Sequence, residues 1–318
     1  MSVYTPISDY EFSEILKNYA LGEFISAQGI QAGIENTNYF LTTSKGEYVF
    51  TLFEQISKDD VNFYISLLRE LSLNGLACPQ PQPNLHQQTV NEIKNKPFTI
   101  VTRLKGKNLT SINREQCKAI AIELAKLHTT GLSMVNPANV LLQNRRGKSW
   151  REKMALALQS KVSVEEAEII SHEIASYQLF DDTALPKGLI HADLFPDNAL
   201  FEGNQLSGII DFYDACYDNY LYDVAITVNA WCSKTGELVD ELLNEFLQSY
   251  QQIRPFTKEE QQAWPLMLRM AAMRFWLSRL NDSLSTDRAH SRHGTLTLSK
   301  DPDEYRQILK NHIKSSVH

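Results

Sequence analysis

The sequence predicts an α+β fold with two lobes, a small lobe with an antiparallel sheet and a larger, mostly helical lobe. In the first hundred residues, one helical segment precedes short apolar segments bounded by turn residues, which is typical of antiparallel strands. Beyond them, apolar residues repeat mostly at helical spacing over long segments. We expect the first lobe to span residues 1–104 and the second to span 105–318.

The first lobe opens with an amphipathic helix. Ser8 and Glu11 form a capping box, and apolar residues then recur at helical spacing. A second predicted helix ends at Gly75, and three prolines between residues 79 and 83 exclude regular structure there. The predicted strands of this lobe span residues 23–28, 38–43, 48–53 and 98–104.

The second lobe is predicted to be helical with one β insertion. A strong helix spans Asn113 to His128, and capping boxes at Ser163–Glu166 and Thr257–Glu260 begin two more. A further long helix begins near Leu221. The insertion comprises predicted strands at residues 189–190, 199–201 and 206–211.

Composition limits the possible functions. The chain has 318 residues, of which 43% are hydrophobic and 22% charged, as in an ordinary globular protein. A formal net charge of -7 argues against nucleic acid as a partner. The four cysteines form no C-x-x-C pair, so neither a zinc site nor a disulfide framework is expected. No apolar stretch suggests a membrane span or a signal peptide, so we expect a cytoplasmic location.

The strongest chemical signal is HADLFPDN at residues 191–198, followed by IIDF at 209–212. Phosphoryl transfer from ATP needs a carboxylate that accepts the proton of the nucleophile and oxygen ligands that hold Mg²⁺. The kinase pattern H-x-D-x-x-x-x-N, followed by D-F, supplies them. It predicts Asp193 as the base and Asn198 and Asp211 as metal ligands. Turn formation alone would also explain an Asp or Asn in a loop, but not all three in this order.

The order of glycine loop, hinge, LAKLH helix, HADLFPDN and IIDF resembles the aminoglycoside phosphotransferase and choline kinase superfamily, whose fold is that of protein kinases. Within it, MSVYTPIS, GIENTNYFLTT, IIDFYDACYD and RFWLSRL resemble the homoserine kinases. The resemblance implies an ATP- and Mg²⁺-dependent enzyme that phosphorylates the hydroxyl of L-homoserine to O-phospho-L-homoserine, a step of threonine biosynthesis.

Nucleotide binding is predicted for the loop after the first strand and for the hinge strand. Glycines let the backbone approach phosphate, and a hinge strand offers backbone groups to adenine. Kinases carry a lysine on the strand after the glycine loop, whereas this chain has a threonine at that place. The predicted nucleotide-binding residues are Gly29, Gly33, Asn36, Thr37, Thr51, Val101 and Arg103.

The substrate site must hold a carboxylate and an ammonium group near Asp193. Arginine is the best partner for a carboxylate, because its planar fork bonds in a bidentate way. The candidate substrate residues are Tyr213, Asp214, Trp231, Arg274 and Arg279.

Three functional hypotheses stay open at this point. The first is a homoserine kinase. The second is a kinase for another small acceptor, such as an aminoglycoside, choline or methylthioribose. The third is a catalytically silent kinase fold that serves as a binding protein, which only the threonine at position 51 favours. The sequence leaves the oligomeric state open.

Overall fold

The computed structural model describes residues 3–30, 36–131, 143–284 and 301–316. The chain divides into two compact units. The first unit contains the described residues up to Lys107, together with Leu200–Glu202 and Ser207–Tyr213. The second unit contains Asn108–Ala199, Gly203–Leu206 and the described residues from Asp214 onward.

The first helix, α1, spans Asp9–Leu16 and begins as its capping box predicts. The Ser8 hydroxyl accepts a hydrogen bond from the Glu11 amide, and the Glu11 carboxylate accepts one from the Ser8 amide. The apolar face of α1, which includes Phe12, is buried against one face of the sheet. The ring of Phe12 packs edge-on against Phe50 with 5.1 Å between ring centroids. This contact anchors the helix on the sheet.

A five-stranded antiparallel sheet forms the centre of the first unit, in the order β1-β2-β3-β5-β4. The strands are β1 (Phe24–Gly29), β2 (Asn36–Thr43), β3 (Gly46–Phe53), β4 (Asn91–Ile93) and β5 (Lys96–Thr102). The four predicted strands are thus confirmed, and β4 is an addition. Alternate residues point to opposite faces, so the sheet has one face toward α1 and one away from it.

The second helix, α2, spans Lys58–Leu73 and is followed by Asn74 and Gly75 in the predicted stop position. Beyond β5, the chain turns at Gly106, whose φ of +88° lies in the left-handed region. A Cβ there would lie 2.4 Å from the carbonyl oxygen of Phe201, so glycine is required. Lys107 and Phe201 then exchange two backbone hydrogen bonds.

The second unit is mostly helical, as predicted. Its helices are α3 (Arg114–Thr130), α4 (Lys148–Gln159), α5 (Val164–Gln178), α6 (Tyr220–Trp231), α7 (Asp240–Gln251), α8 (Lys258–Leu284) and α9 (Pro302–Ser315). Helix α6 is buried on nearly every side, as expected for a central helix with few charges. No helix in the described part of the chain has the length and apolar character needed to cross a bilayer.

Short strands carry the polar motifs. Strand β6 (Lys187–Ile190) pairs antiparallel with β9 (Cys216–Asn219), and β7 (Ala199–Glu202) pairs with β8 (Gln205–Ile209). The β insertion is therefore confirmed, with β9 as an additional strand. A last small pair, β10 (Ser233–Lys234) and β11 (Glu237–Leu238), follows α6.

Candidate active site

The loop after β6 is held by one buried carboxylate. The backbone amides of His191 and Ala192 donate hydrogen bonds of 2.7 and 2.8 Å to the carboxylate of Asp223 on α6. Ala192 has a φ of +64°, a left-handed conformation that costs energy for an alanine. Asp223 therefore stabilises the strained turn that presents the next residue, Asp193.

Asp223 is itself bound to a buried histidine. His128 Nε2 lies 3.0 Å from Asp223 Oδ2, and His128 Nδ1 lies 2.7 Å from the hydroxyl of Tyr250. Burial lowers the pKa of His128, so the imidazole is neutral and its Nε2 proton is donated to Asp223. Burial alone would raise the pKa of Asp223, but its hydrogen bonds with His128 and the backbone lower it. The carboxylate thus stays charged inside the core.

Asp193, the predicted base, lies beside a cation. Its side chain is 28% exposed, and Oδ1 is 3.7 Å from Arg274 Nη1. Burial raises the pKa of Asp193, and the charge of Arg274 acts in the opposite direction. The Asp193 amide donates to His191 Nδ1 at 3.3 Å, consistent with a bracing role for that histidine.

Asn198 lies at the end of a short 3₁₀ turn, Pro196–Asn198, and is buried. Its Nδ2 donates to the backbone oxygen of Asp193 at 2.8 Å and to Oδ2 of Asp193 at 3.3 Å. Because the amino group of Asn198 faces Asp193, the carbonyl oxygen of the same amide remains as a metal donor. The local geometry of Asn198 therefore fits the predicted role.

Asp211 follows β8 and belongs to the first unit. Its φ is +66°, and its side chain is exposed. Aspartate tolerates the left-handed region better than most residues. A carboxylate is an oxygen donor of the kind that a hard cation such as Mg²⁺ prefers, which is compatible with the predicted role of Asp211. In the part of the chain that the structure describes, no cluster of three or more His, Cys, Asp or Glu side chains is arranged to hold a metal.

Arg274 and Arg279 have different surroundings. Arg274 is 2% exposed, and its Nη1 donates to the carbonyl oxygen of Ala192 at 2.6 Å. Its Nη2 lies 3.5 Å from Asp214 Oδ2, and its Nε has no acceptor among the described residues. Arg279 instead binds Glu304 of α9 at 2.6 Å and lies over the ring of Tyr305. Of these two arginines, only Arg274 is thus joined to Asp193.

The other predicted substrate residues are also placed differently. Asp214 accepts a hydrogen bond of 2.8 Å from Arg146 Nη1 in addition to its contact with Arg274. Trp231 is completely buried, and its Nε1 donates to the carbonyl oxygen of Leu194, so it lies in the core. In the first unit, the ring of Tyr213 packs edge-on against Phe53.

The predicted nucleotide-binding residues do not share one face of the sheet. Thr51 Oγ1 donates to Asn38 Oδ1 at 2.7 Å across β2 and β3, on the face away from α1. Thr37 is next to Asn38 and therefore points to the opposite face. It is completely buried, and its hydroxyl donates to Glu54 at 2.6 Å.

The remaining members of that set are placed as follows. Asn36 Oδ1 accepts from the amide of Glu54 at 3.4 Å. Val101 pairs with Val49 in the sheet, and the guanidinium of Arg103 lies 4.0 Å above the ring of Phe40. Gly29 ends β1, whereas Gly33 lies outside the described residues.

Sequence reasoning missed two features of this region. Arg146 was not among the candidates, although it binds Asp214. The pairing of His128 with Asp223 was also missed, because the two residues are 95 positions apart. The histidine at the end of LAKLH is a signal that could have raised this question, since buried histidines need polar partners.

Known proteins that are similar to this chain include two homoserine kinases. The chain is 41% identical to the homoserine kinase of Methylobacillus flagellatus over 314 residues, which cover 98% of this chain and 96% of that protein. It is 38% identical to the homoserine kinase of Neisseria meningitidis over 310 residues, which cover 97% and 99% of the two chains.

Solved structures support the fold. An amicoumacin kinase bound to AMP-PNP and Ca²⁺ has a TM-score of 0.69 at 15% identity, covering 97% of this chain and 93% of that one. A spectinomycin phosphotransferase bound to ADP and spectinomycin has a TM-score of 0.65 at 14% identity, covering 96% and 95%. The protein-kinase-like fold predicted from the sequence is thus confirmed.

The family comparison extends over most of the chain. The family model of the phosphotransferase enzyme family, APH, matches residues 26–258. This match includes the HADLFPDN and IIDF motifs and the helix that carries Asp223. The chain therefore belongs to the phosphotransferase enzyme family.

Proposed function

We propose that the protein is an ATP-dependent homoserine kinase. Its relatives named homoserine kinase match it over nearly their full length, which supports this acceptor. The observation that carries the chemistry is the position of Asp193, which is presented by a braced turn, bound by Asn198 and faced by Arg274. This arrangement suits a base that must remain ionised inside a partly buried site.

In the proposed reaction, Asp193 accepts the proton of the homoserine hydroxyl. The hydroxyl oxygen forms a bond with the γ-phosphorus of ATP, and the bond from that phosphorus to the β–γ bridging oxygen breaks, so ADP leaves. Burial raises the pKa of Asp193 and so makes it a better proton acceptor once it is ionised. Arg274 limits this effect and favours the ionised form.

Asn198, through its side-chain oxygen, and Asp211, through its carboxylate, are the proposed ligands of Mg²⁺. When bound, the ion would offset the negative charge of the phosphates. We further propose that Gly29, Asn36 and Thr51 contribute to nucleotide binding, and that Val101 and Arg103 offer backbone groups to adenine. A threonine hydroxyl can donate to phosphate but brings no charge, so Thr51 does not replace the usual lysine.

For the acceptor, we assign the carboxylate of homoserine to Arg274 and its ammonium group to Asp214. These two side chains lie 3.5 Å apart, and Arg274 Nε has no acceptor among the described residues. Arg279 is occupied by α9 and is the weaker candidate. The contact between Arg274 and the oxygen of Ala192 fixes the guanidinium beside the loop that carries Asp193.

A coupled assay of ADP release over a panel of acceptors tests this function. The panel contains homoserine, choline, an aminoglycoside and methylthioribose. We expect homoserine to give the highest kcat/KM. If only another acceptor were phosphorylated, that acceptor would replace homoserine as the proposed substrate. If the protein bound ATP without phosphorylating any acceptor, the result would favour a catalytically silent binding protein.

Asp193→Asn tests the base in the same assay. Loss of a general base costs about 10²–10⁴-fold in kcat, whereas ATP affinity should remain close to that of the wild type. If the variant retained more than about a tenth of the wild-type kcat, Asp193 would not be the base.

A further inference from the structure

A polar cavity lies in the second unit. It has a volume of about 580 Å³ and is lined by the start of α4, by β9 and by Met267 and Met270 on α8. None of the side chains assigned above to catalysis or to the acceptor lines it. Its volume falls within the range of about 300–1,000 Å³ that is typical of ligand sites. A small amino acid such as homoserine would leave much of it unfilled.

The lining of this cavity is strongly basic. Five cationic side chains line it, namely Arg145, Lys148, Arg151, Lys153 and Lys187. Two carboxylates oppose them, and both already have partners. Asp182 pairs with Lys187 at 3.1 Å, and Asp218 accepts a hydrogen bond of 2.6 Å from Asn144. The other four cations have no carboxylate within ion-pair distance among the described residues.

Arg151 shows why the cavity favours an anion. It is 6% exposed, and its Nη1 donates to the neutral hydroxyl of Tyr222 at 3.3 Å. Its guanidinium also lies 5.5 Å from the centre of the Tyr222 ring. A buried charge without a counter-charge is costly, so protein cations in this position are normally paired. An anion in the cavity would supply the missing partner.

The start of α4 adds to the positive electrostatic potential of the cavity. Its N-cap, Gly147, provides no side-chain hydrogen bond, and Gly147, Lys148 and Ser149 line the cavity. The first amides of a helix have no acceptor within the helix and carry a partial positive charge. These amides and the basic side chains therefore both contribute positive potential inside the cavity.

We propose that this cavity binds a small-molecule anion with carboxylate or phosphate groups, with Arg151 as its buried anchor, at a site separate from the acceptor.

A series of side-chain contacts connects the cavity to the proposed acceptor site. Asn144 of its lining binds Asp218, and Arg146, two residues later, binds Asp214, which contacts Arg274. Occupation of the cavity should therefore change the KM for the acceptor.

Calorimetric titration of the ADP-saturated protein with succinate and, separately, with inorganic phosphate tests the proposal. The two titrations distinguish a carboxylate ligand from a phosphate ligand. Arg151→Met keeps the apolar stem and removes the charge, and we expect an affinity loss of about 10- to 150-fold. Because that residue is buried, the double variant Lys148→Gln, Lys153→Gln provides a second test at exposed positions. We expect it to weaken binding at least about fivefold.

Lys161→Gln, an exposed lysine just beyond α4 that does not line the cavity, is the matched control and should bind like the wild type. The proposal is supported if binding of either anion is lost in the cavity variants, is retained in the control, and is not displaced by homoserine. It is overturned if neither anion binds the wild-type protein, or if the cavity variants bind normally. Displacement of the anion by homoserine would also overturn it and would make the cavity the acceptor site, leaving the kinase activity itself intact.

Discussion

Replacement of Asp223 by asparagine is the most direct test of how the loop that carries Asp193, the proposed base, is held. Asp223 Oδ2 accepts from the amide of His191 and from His128 Nε2, and Oδ1 accepts from the amide of Ala192. An asparagine has one acceptor oxygen, so either orientation of its amide places an NH₂ group against at least one N–H donor. At least one buried donor is then unsatisfied, and the others lose a charged acceptor.

The expected cost follows from these contacts. An unsatisfied buried group costs about 1–3 kcal/mol, and breaking a buried charged network costs about 3–5 kcal/mol. We therefore expect Asp223→Asn to lower the free energy of unfolding by about 3–5 kcal/mol, a large share of the ~5–15 kcal/mol typical of a folded domain. Because the turn at Ala192 would relax and shift Asp193, kcat should fall by roughly 10²-fold.

Urea unfolding followed by circular dichroism measures the first effect, and the ADP-release assay measures the second. Asp240→Asn is the matched control, because Asp240 is an exposed carboxylate in the first turn of α7. That change should cost no more than about 1 kcal/mol and leave kcat unchanged. If Asp223→Asn were as stable as this control and fully active, Asp223 would not be what holds the loop.

Three further predictions concern the metal, the acceptor and pH. Asp211→Asn and Asn198→Ala should each raise the Mg²⁺ concentration needed for half-maximal activity, and unchanged Mg²⁺ titrations for both would place the metal elsewhere. Arg274→Lys should raise the KM for homoserine by about 10- to 150-fold with little change in the KM for ATP. Arg279→Lys should change neither KM. Equal effects of the two variants would refute the assignment of the homoserine carboxylate to Arg274. Burial lowers the pKa of His128 in the folded protein, so the unfolded chain protonates this histidine at a higher pH than the folded chain does. The contribution of His128 to the free energy of unfolding is therefore complete above the ordinary histidine pKa of about 6.5 and is lost as the pH falls below it. Urea midpoints between pH 7.5 and pH 5 measure this loss, which His128→Gln should reduce.

The parts of the fold that sequence reasoning predicted are those set by local interactions. All three capping boxes are present, because each needs only two residues three positions apart. Ser8–Glu11 and Ser163–Glu166 show both reciprocal hydrogen bonds, and Thr257 and Glu260 exchange theirs at 2.9 and 3.2 Å. Strands β4 and β9 were missed because they are short, and β9 pairs with a strand that is remote in sequence.

The motif that contains the proposed base was visible in the sequence for a similar reason. Asp193 and Asn198 lie five residues apart, and their hydrogen bond forms within one turn. Residues joined through the core leave no such pattern. Neither the acidic side chain of Asp223 nor the position of His128 in its helix indicates that the two meet, because that contact depends on how α3 packs against α6.

The two arginines of α8 illustrate the same limit. Arg274 and Arg279 are five positions apart, a separation that places them about 140° apart around a helix of 3.6 residues per turn. One therefore meets the loop of Asp193 while the other meets α9, although both were equal candidates in the sequence. Whether a charged residue on a helix lies in the site depends on which neighbouring element its side chain packs against. Arg274 meets the oxygen of Ala192, so the turn that Asp223 braces from α6 is also held from α8. The proposed base, Asp193, is thus positioned from two helices that are distant in sequence. Removal of either contact, through Asp223 on α6 or Arg274 on α8, should therefore alter kcat.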